Sequence, residues 1–521
     1  SPSSCIFRII EFILRGQASF VLVMDTASLV ISIYSNCSVS KNKEKSILEV
    51  NMSSSRPNIL WYCTDQQRFD TIQALGNSHI RTPFIDRLVE GGTAFKRAYV
   101  QSQICTPSRA SFLTGRYPAS NHVHRNGNAY FPDGEVLVTK LFADAGYDCG
   151  LIGKLHLASA ATGSEKRTDD GYRLFEWSHH PMPTLDPDFH AYHRWLRDEK
   201  GVDPVELYSS IRSFCGEGVP AELHQSTWCT DMAIRFIDEK REGPWLLSMN
   251  PFDPHPPFDP PKEYLDRYNP ANLPGPLFQE SDLERQKSFR NICQQSINAV
   301  DPNGINIDPE AGEHHTNTAT LPPDTFNGRE VIAAYYAMIE LLDEQFGRLV
   351  DHLDNIGQLD NTLIVFHADH GEMLGDHGLL YKGCRFFEGL VHVPLIFYWK
   401  GQFQSGLTSD ALVELVDVAP TLLEAVGMEV PYYMQGKSLL GMLRGDVPSN
   451  YHKKSVVTEF NDALGSAKES PPTHATMNFD GRYKTVVYHG HNLGELFDLQ
   501  EDPGEFNNLW KDPNVIELKS E

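Results

Sequence analysis

The sequence predicts an α/β protein: a large mixed, mostly parallel sheet between helices, followed by a smaller C-terminal subdomain built on an antiparallel sheet. Three observations predict it. Short apolar runs of strand length alternate with helical periodicities between about residues 58 and 400. The residues able to do chemistry follow those runs directly, at the strand ends where open α/β sheets place their ligands. After about residue 445 the pattern turns to short, closely spaced strand candidates.

In chain order, Asn58 to Cys63 reads as a buried strand ending in Thr64-Asp65-Gln66. Thr82 and Pro83 suit the cap and first turn of a helix through about Glu90, stopped by Gly91-Gly92. Val136 to Ala145 reads as a helix closed by Gly146, and Asp148 to Ile152 as a strand leading into Gly153-Lys154-Leu155-His156. Trp245 to Met249 is a strand running into the loop PFDPHPPFDPP. A long helical pattern covers Glu330 to about Leu353. Leu363 to Phe366 is a strand ending in His367-Ala368-Asp369-His370-Gly371, and Val393 to Trp399 is another. The C-terminal candidates are Lys454 to Phe460, Thr476 to Phe479, Tyr483 to Tyr488 and Glu495 to Leu499, expected as a small antiparallel sheet with a helix. The division is therefore residues 1–51, an α/β catalytic domain over 52–445, and an α+β subdomain over 446–521.

Composition narrows the function. With 45 basic and 69 acidic residues the net charge is -24, which argues against tracking a nucleic-acid backbone. An anionic substrate would need basic groups and a metal to reverse the local field. The nine cysteines form no CxxC pair, so neither a disulfide framework nor a zinc knuckle is expected; Cys63 and Cys149 read as core thiols. In the first 51 residues, Arg8, Glu11, Arg15 and Asp25 interrupt the apolar stretches, so no stable membrane insertion is expected. An ordered export signal is lacking, and Met52 is a sensible start, which points to the cytoplasm; an atypical leader, with an exported or periplasmic enzyme, is the alternative.

The sharpest segment is Cys105-Thr106-Pro107-Ser108-Arg109-Ala110-Ser111-Phe112-Leu113-Thr114-Gly115-Arg116. Pro107 and Ser108 suit a helix entry, placing Cys105 at the positive end, where a thiolate is stabilised. The residues alone leave open a thiolate nucleophile, a structural cysteine or something more specialised. The segment resembles the C-x-P-S-R-x-x-x-x-T-G motif of the sulfatase family, whose cysteine a maturation enzyme oxidises to formylglycine. The resemblance runs from about residue 56 to the C-terminus and includes PNILWYCTDQQ, the PHPPF loop, ADHGEMLGDHGLLYKG and ELFDLQEDPGEFNNL.

The resemblance implies that Asp65, Gln66, Asp369 and His370 hold one divalent cation, calcium with manganese as the alternative, facing the modified Cys105. Asp65 and Asp369 suit a hard cation in their own right. The family often has Asp where this chain has Gln66 and Asn where it has His370, so the site here carries less negative charge and a nitrogen donor. In the implied reaction, one hydroxyl of the hydrated aldehyde attacks sulfur and the second helps expel sulfate, while Asp369 helps activate the attacking hydroxyl. Arg109 is implied to hold the nucleophile's alkoxide, Lys154 and His156 to meet the sulfate from one side of an extended segment, and His255 to serve the leaving oxygen as acid or donor. Lys382 is implied as a further oxyanion contact and Asn126 as a polar substrate contact. His124, His179, His180 and His377 are pocket-lining or exposed, and Asp376 need not touch metal.

The expected activity is hydrolysis of a small-molecule or carbohydrate sulfate ester, served by a formylglycine-generating maturation enzyme. Aromatic and histidine-rich loops around Tyr172 to Trp195 suggest a shaped pocket suited to a sugar. Gln66, His370, Lys382 and Asn126 equally resemble the phosphonate monoester and phosphodiester hydrolase branch of the alkaline phosphatase superfamily, the first rival. A non-catalytic binding protein is the second; it has little need of these cations and carboxylates together.

Overall fold

The computed structural model describes residues 18–25, 28–35, 56–160, 163–181, 183, 188–209, 211, 214–303, 322–464 and 472–515. The leader reading of residues 1–51 lies outside the described residues, apart from an antiparallel hairpin of Ala18–Asp25 and Ser28–Ser35. Pro57–Glu521 forms one compact unit. Among the described residues no helix is long and apolar enough to cross a membrane.

Eight strands build the main sheet: β1 (Asn58–Thr64), β2 (Thr93–Phe95), β3 (Asp148–Gly153), β4 (Leu174–Trp177), β5 (Trp245–Asn250), β6 (Thr362–Ala368), β7 (Leu395–Tyr398) and β8 (Leu407–Ser409). Their spatial order is β8-β2-β7-β6-β1-β5-β3-β4, and β7 alone runs against its neighbours. Alternation explains why β1 and β6 are apolar throughout. Ile59, Trp61, Cys63, Leu363 and Val365 face one core, which takes in Phe112 and Phe142. Leu60, Tyr62, Ile364 and Phe366 face the other, with Ile85, Trp228, Phe236 and Phe346. A strand covered on both faces has no position left for a solvent-facing residue.

The second core is closed by the helices Pro83–Gly91, Gln225–Asp238 and Gly328–Asn355. The longest is capped by Asn327, whose side chain accepts from the N–H groups of Arg329 and Glu330. Thr82 does not cap its helix as expected. Asp343, arriving from the long helix, accepts from Phe84 N and Ile85 N, while Thr82 Oγ1 accepts from Gln73 N and donates to Asp86. A tertiary carboxylate has taken over the helix's free donors.

The expected strand Val393 to Trp399 is two. Pro394 has no N–H to continue a ladder, so His392–Val393 pairs with Ala98–Tyr99 in a small separate sheet and Leu395–Tyr398 joins the main one. The C-terminal sheet is an antiparallel meander in chain order of β9 (Val456–Asn461), β10 (His474–Phe479), β11 (Tyr483–His489) and β12 (Leu493–Asp498). Val456, Phe460, Met477, Phe479 and Tyr488 bury one face in the first core. Buried contacts fasten it to the segment around Arg385: Arg385 donates to Glu495 (2.6 Å) and Lys484 to the Phe386 carbonyl (3.0 Å). The helix expected there is, among the described residues, two single turns at Leu509–Lys511 and Pro513–Val515.

Two predictions follow from positions just beneath the catalytic edge. Gly153 ends β3 at φ 97°, and a Cβ there would lie 1.9 Å from the backbone oxygen of Asn250 on β5. Gly153→Ala should therefore cost about 3 kcal/mol in denaturant unfolding. His367 is fully buried, accepts from Trp61 Nε1 (2.7 Å) and donates from Nδ1 to Ala368 O (3.1 Å), so it folds as neutral imidazole. Burial pushes its pKa down to about 3. The unfolded chain takes up a proton that the native state excludes, so this group's stabilisation is complete above about pH 6.5 and is lost as pH falls towards 3. Urea unfolding between pH 6.5 and 4 should show a slope component of about 1.4 kcal/mol per pH unit that His367→Phe removes.

Candidate active site

The four strands whose ends carry the predicted residues are neighbours. β6 delivers Asp369 and His370, β1 delivers Asp65 and Gln66, β5 leads to His255, and β3 delivers Lys154 and His156. At about 4.8 Å per strand they span roughly 15 Å of one sheet edge. The fifth contributor is the helix Cys105–Thr114, buried along its whole length, with Cys105 in its first turn. It begins two residues before the expected entry at Pro107. Its N-terminal donors are partly served from a distance, because Asn126 Oδ1 accepts from Thr106 N (3.0 Å). Asn126, expected at the substrate, thus spends its oxygen on the helix that presents Cys105.

Arg109 organises the centre. Its Nε donates to Asp369 (2.8 Å), Nη2 to Asp65 (3.1 Å) and Nη1 to the Lys154 carbonyl (2.9 Å), binding the ends of three strands to the Cys105 helix. Three of its donors thus go to two carboxylates and a carbonyl. Lys154 Nζ lies 2.5 Å from Asp65 and 3.6 Å from Cys105 Sγ. Burial would raise the Asp65 pKa, but Lys154 and Arg109 outweigh burial and hold it well below the usual range. Asp369, paired with Arg109 and 3.8 Å from His370 Nε2, is nonetheless raised by burial.

Cys105 is 1% exposed, with Lys382 Nζ at 3.1 Å and His370 Nε2 at 3.0 Å. Burial disfavours its thiolate, yet Lys154, Lys382 and His370 drive its pKa well below that of a free thiol. The His370 Nδ1 faces Gly371 O (2.9 Å), which leaves Nε2 turned towards Cys105. His255 Nδ1 lies 2.7 Å from Pro256 O and donates to it, so its Nε2 accepts from Lys382 Nζ (3.1 Å). Burial and Lys382 lower the His255 pKa to about 4, and burial and Lys154 do the same to His156. Both imidazoles are neutral at pH 7.

Lys154 and His156 do converge on residue 105, though not by alternation along an extended segment. Gly153 (φ 97°) and His156 (φ 58°) both turn through the left-handed region, and the turned chain brings the His156 side chain to the side of residue 105. In the segment Tyr172 to Trp195, Tyr172, Trp177 and Trp195 are core residues rather than pocket walls. Its contribution at the site is His179, with its ring 4.5 Å from that of His156, and His180, which burial and His255 lower to about 3. His377 is held away from the centre by Asp282 and Arg285, Asp376 is bound by Arg68, and His124 is half-buried near Asn461.

The donor atoms of Asp65, Cys105, Asp369 and His370, all buried, lie within 4.8 Å of one another. Two carboxylates, a sulfur and an imidazole with its free nitrogen turned inward fit one divalent cation. Gln66, a ligand that the resemblance implies, follows Asp65 directly, and its N–H donates to Asp369 (2.9 Å). Its Oε1 accepts from Lys382 Nζ (2.7 Å) and its Nε2 donates to Glu372, so its side chain orders Lys382. Glu372 escaped the sequence reading; its only signal was an acidic residue two places beyond His370.

Comparison with known proteins agrees with this geometry. The Sulfatase family profile matches residues 57–428, and the profile described as N-sulphoglucosamine sulphohydrolase, C-terminal, matches residues 375–521. The chain is 29% identical to an arylsulfatase of Clostridium perfringens, over 87% of this chain and 90% of that protein. It is 27% identical to an N-acetylglucosamine-6-O-sulfatase of Bacteroides thetaiotaomicron, over 88% and 83%. A phosphonate monoester hydrolase from Silicibacter pomeroyi superposes with a TM-score of 0.73 at 25% identity, covering 89% of this chain and 93% of that one.

Elemental analysis of protein purified without chelator should find about one divalent ion per chain. Asp369→Ala should lose the ion while keeping its folded circular dichroism spectrum. Full occupancy in that variant would place the cation elsewhere.

Proposed function

The chain belongs to the sulfatase family, and on that premise we propose that it hydrolyses a sulfate monoester to an alcohol and sulfate, with Cys105 matured to formylglycine. The observation that carries the reading is the convergence of Cys105, two carboxylates, a histidine and two lysines at the buried N-terminus of one helix. Asp65, Asp369, His370 and residue 105 would hold a divalent cation, which would supply Lewis-acid polarisation of the ester's oxygens when bound. Calcium suits the carboxylates, and the His370 nitrogen favours manganese. Formylglycine supplies a geminal diol, and so both an attacking oxygen and a second hydroxyl for release of sulfate.

The chain's own groups do the rest. Lys154 and Lys382 flank residue 105 and offset the charge of a tetrahedral oxyanion brought there. Arg109 favours the ionised forms of Asp65 and Asp369 and aims both inward. His156, neutral, is placed to take a proton from residue 105. On the leaving-group side, the His255 nitrogen that faces the site already accepts from Lys382. The proton available to a departing alkoxide is therefore held by the Lys382–His255 pair, not by an imidazolium.

The relative that acts on N-acetylglucosamine 6-O-sulfate supports a sulfated carbohydrate as the substrate class. A second reading, phosphonate monoester or phosphodiester hydrolysis, is favoured by the His370 donor, by the Gln66–Lys382 contact and by the fold of the phosphonate monoester hydrolases.

Mature protein should hydrolyse an activated aryl sulfate in proportion to the fraction of the residue-105 peptide that is about 18 Da lighter than its thiol form. Cys105→Ser should lose most turnover, because serine has no second hydroxyl for the release step. Comparing kcat/KM for an aryl sulfate, an aryl phosphonate monoester and an aryl phosphodiester on one preparation decides between the readings. A phosphorus ester preferred by orders of magnitude overturns sulfate hydrolysis as the function.

A further inference from the structure

Glu165 is a buried carboxylate outside every motif of the site. It is 8% exposed, and its four hydrogen bonds come from uncharged donors. Oε2 accepts from His156 N (2.8 Å) and from Trp177 Nε1 (3.0 Å). Oε1 accepts from Leu157 N (2.5 Å) and Ala158 N (3.0 Å). Three successive backbone N–H groups converge on one side chain, a nest that needs a left-handed residue to form. His156, at φ 58°, is that residue.

Such a conformation costs a non-glycine residue about 1 kcal/mol or more and persists only where surrounding contacts impose it. Burying a carboxylate without a cation is also unfavourable, and burial raises the Glu165 pKa despite its four donors. Neither cost is needed to close the core, which Leu155, Leu157 and Trp177 already fill. What the arrangement does produce is a defined place for one side chain. With its N–H held by Glu165, His156 has its ring packed on that of His179 (4.5 Å between centres) on the side of residue 105, and Trp177, on the adjacent strand β4, braces the same carboxylate.

We propose that Glu165 is the positioning residue for His156: its carboxylate holds the 156–158 turn in the conformation that aims the imidazole at residue 105. The role in turnover rests on the function proposed above, in which His156 takes a proton from residue 105. The structural role does not.

The test uses the full-length mature enzyme with Glu165→Gln, which keeps the shape but sets an NH2 group against backbone donors, and Glu165→Asp, which keeps the charge and shortens the reach. Amide hydrogen exchange of residues 156–158 reads the nest without any turnover. Both variants should lose protection there while cation content stays at the wild-type level. Turnover of an aryl sulfate should fall about 10- to 100-fold in kcat with KM changed far less, as for other groups that orient a functional histidine. In a double-mutant cycle, Glu165→Gln combined with His156→Ala should be no slower than His156→Ala alone. Unchanged protection in both variants, or losses that simply add in the cycle, would overturn the proposal. An enzyme in which protection is lost but His156→Ala turns over normally would leave the nest standing and refute the role of His156.

Discussion

The site depends on one buried guanidinium. Asp65 and Asp369 come from strands that pair side by side, so their carboxylates are brought together inside the protein before any cation arrives. Two such charges without a partner would carry a desolvation cost of several kcal/mol each. Arg109 answers both at once and gives a third hydrogen bond to the carbonyl of Lys154. Because it is four residues from Cys105 on one helix, the same contact that neutralises the carboxylates also fixes the helix end against the sheet. Lys cannot substitute in this geometry, since the interaction uses three donors of a rigid plane. The arginine in the C-x-P-S-R segment is therefore explained by sheet topology before catalysis is considered.

A second consequence concerns where positive charge resides. Around residue 105 the fixed cations are Arg109, Lys154 and Lys382, while burial keeps His156, His179, His180 and His255 from protonating. Arg109 and Lys154 are held in their charged forms by the neighbouring carboxylates, and the neutral imidazoles remain free to accept or relay a proton. This separation lets a chain of net charge -24 present a cationic centre to an anion. It also frees the imidazoles for a task that a permanently charged ring could not perform.

The parts of this arrangement legible in the sequence were those with a local signal. β1, β3, β5 and β6 announced themselves as apolar runs, and the polar residues at their ends marked the catalytic edge. What the sequence hid were pairings over long separations. That Asp343 caps the helix at Phe84, that Gln66 is turned by Glu372 towards Lys382, and that Asn126 caps the Cys105 helix depend on contacts no periodicity encodes. Aromatic residues misled in the same way. Tyr172, Trp177 and Trp195 read as pocket walls because they cluster with histidines, yet large apolar rings beside a sheet edge bury by default, and here they did. The single strand expected across Pro394 failed for the opposite reason: the local signal, a proline in the run, was present and was outweighed by apolar content.

The same charges bear on substrate choice. A sulfate monoester, a phosphonate monoester and a phosphodiester each carry one negative charge at neutral pH, so the cationic centre attracts all three alike. They differ in what surrounds the central atom: the sulfate ester offers three non-bridging oxygens, whereas each phosphorus ester replaces one with a carbon or an esterified oxygen. Discrimination must therefore come from whether the third position meets a hydrogen-bond donor or an apolar wall, because a donor left unpaired against carbon costs more than a missing contact. Here the groups around residue 105 are Lys154, Lys382, His156 and His255, with Phe252 packed on His255 at 4.5 Å between ring centres. The two ammonium groups, rich in donors, suit an oxygen at the positions they face. Among the described residues, His255, its inward nitrogen accepting from Lys382 and its ring packed against Phe252, forms a flank less rich in donors.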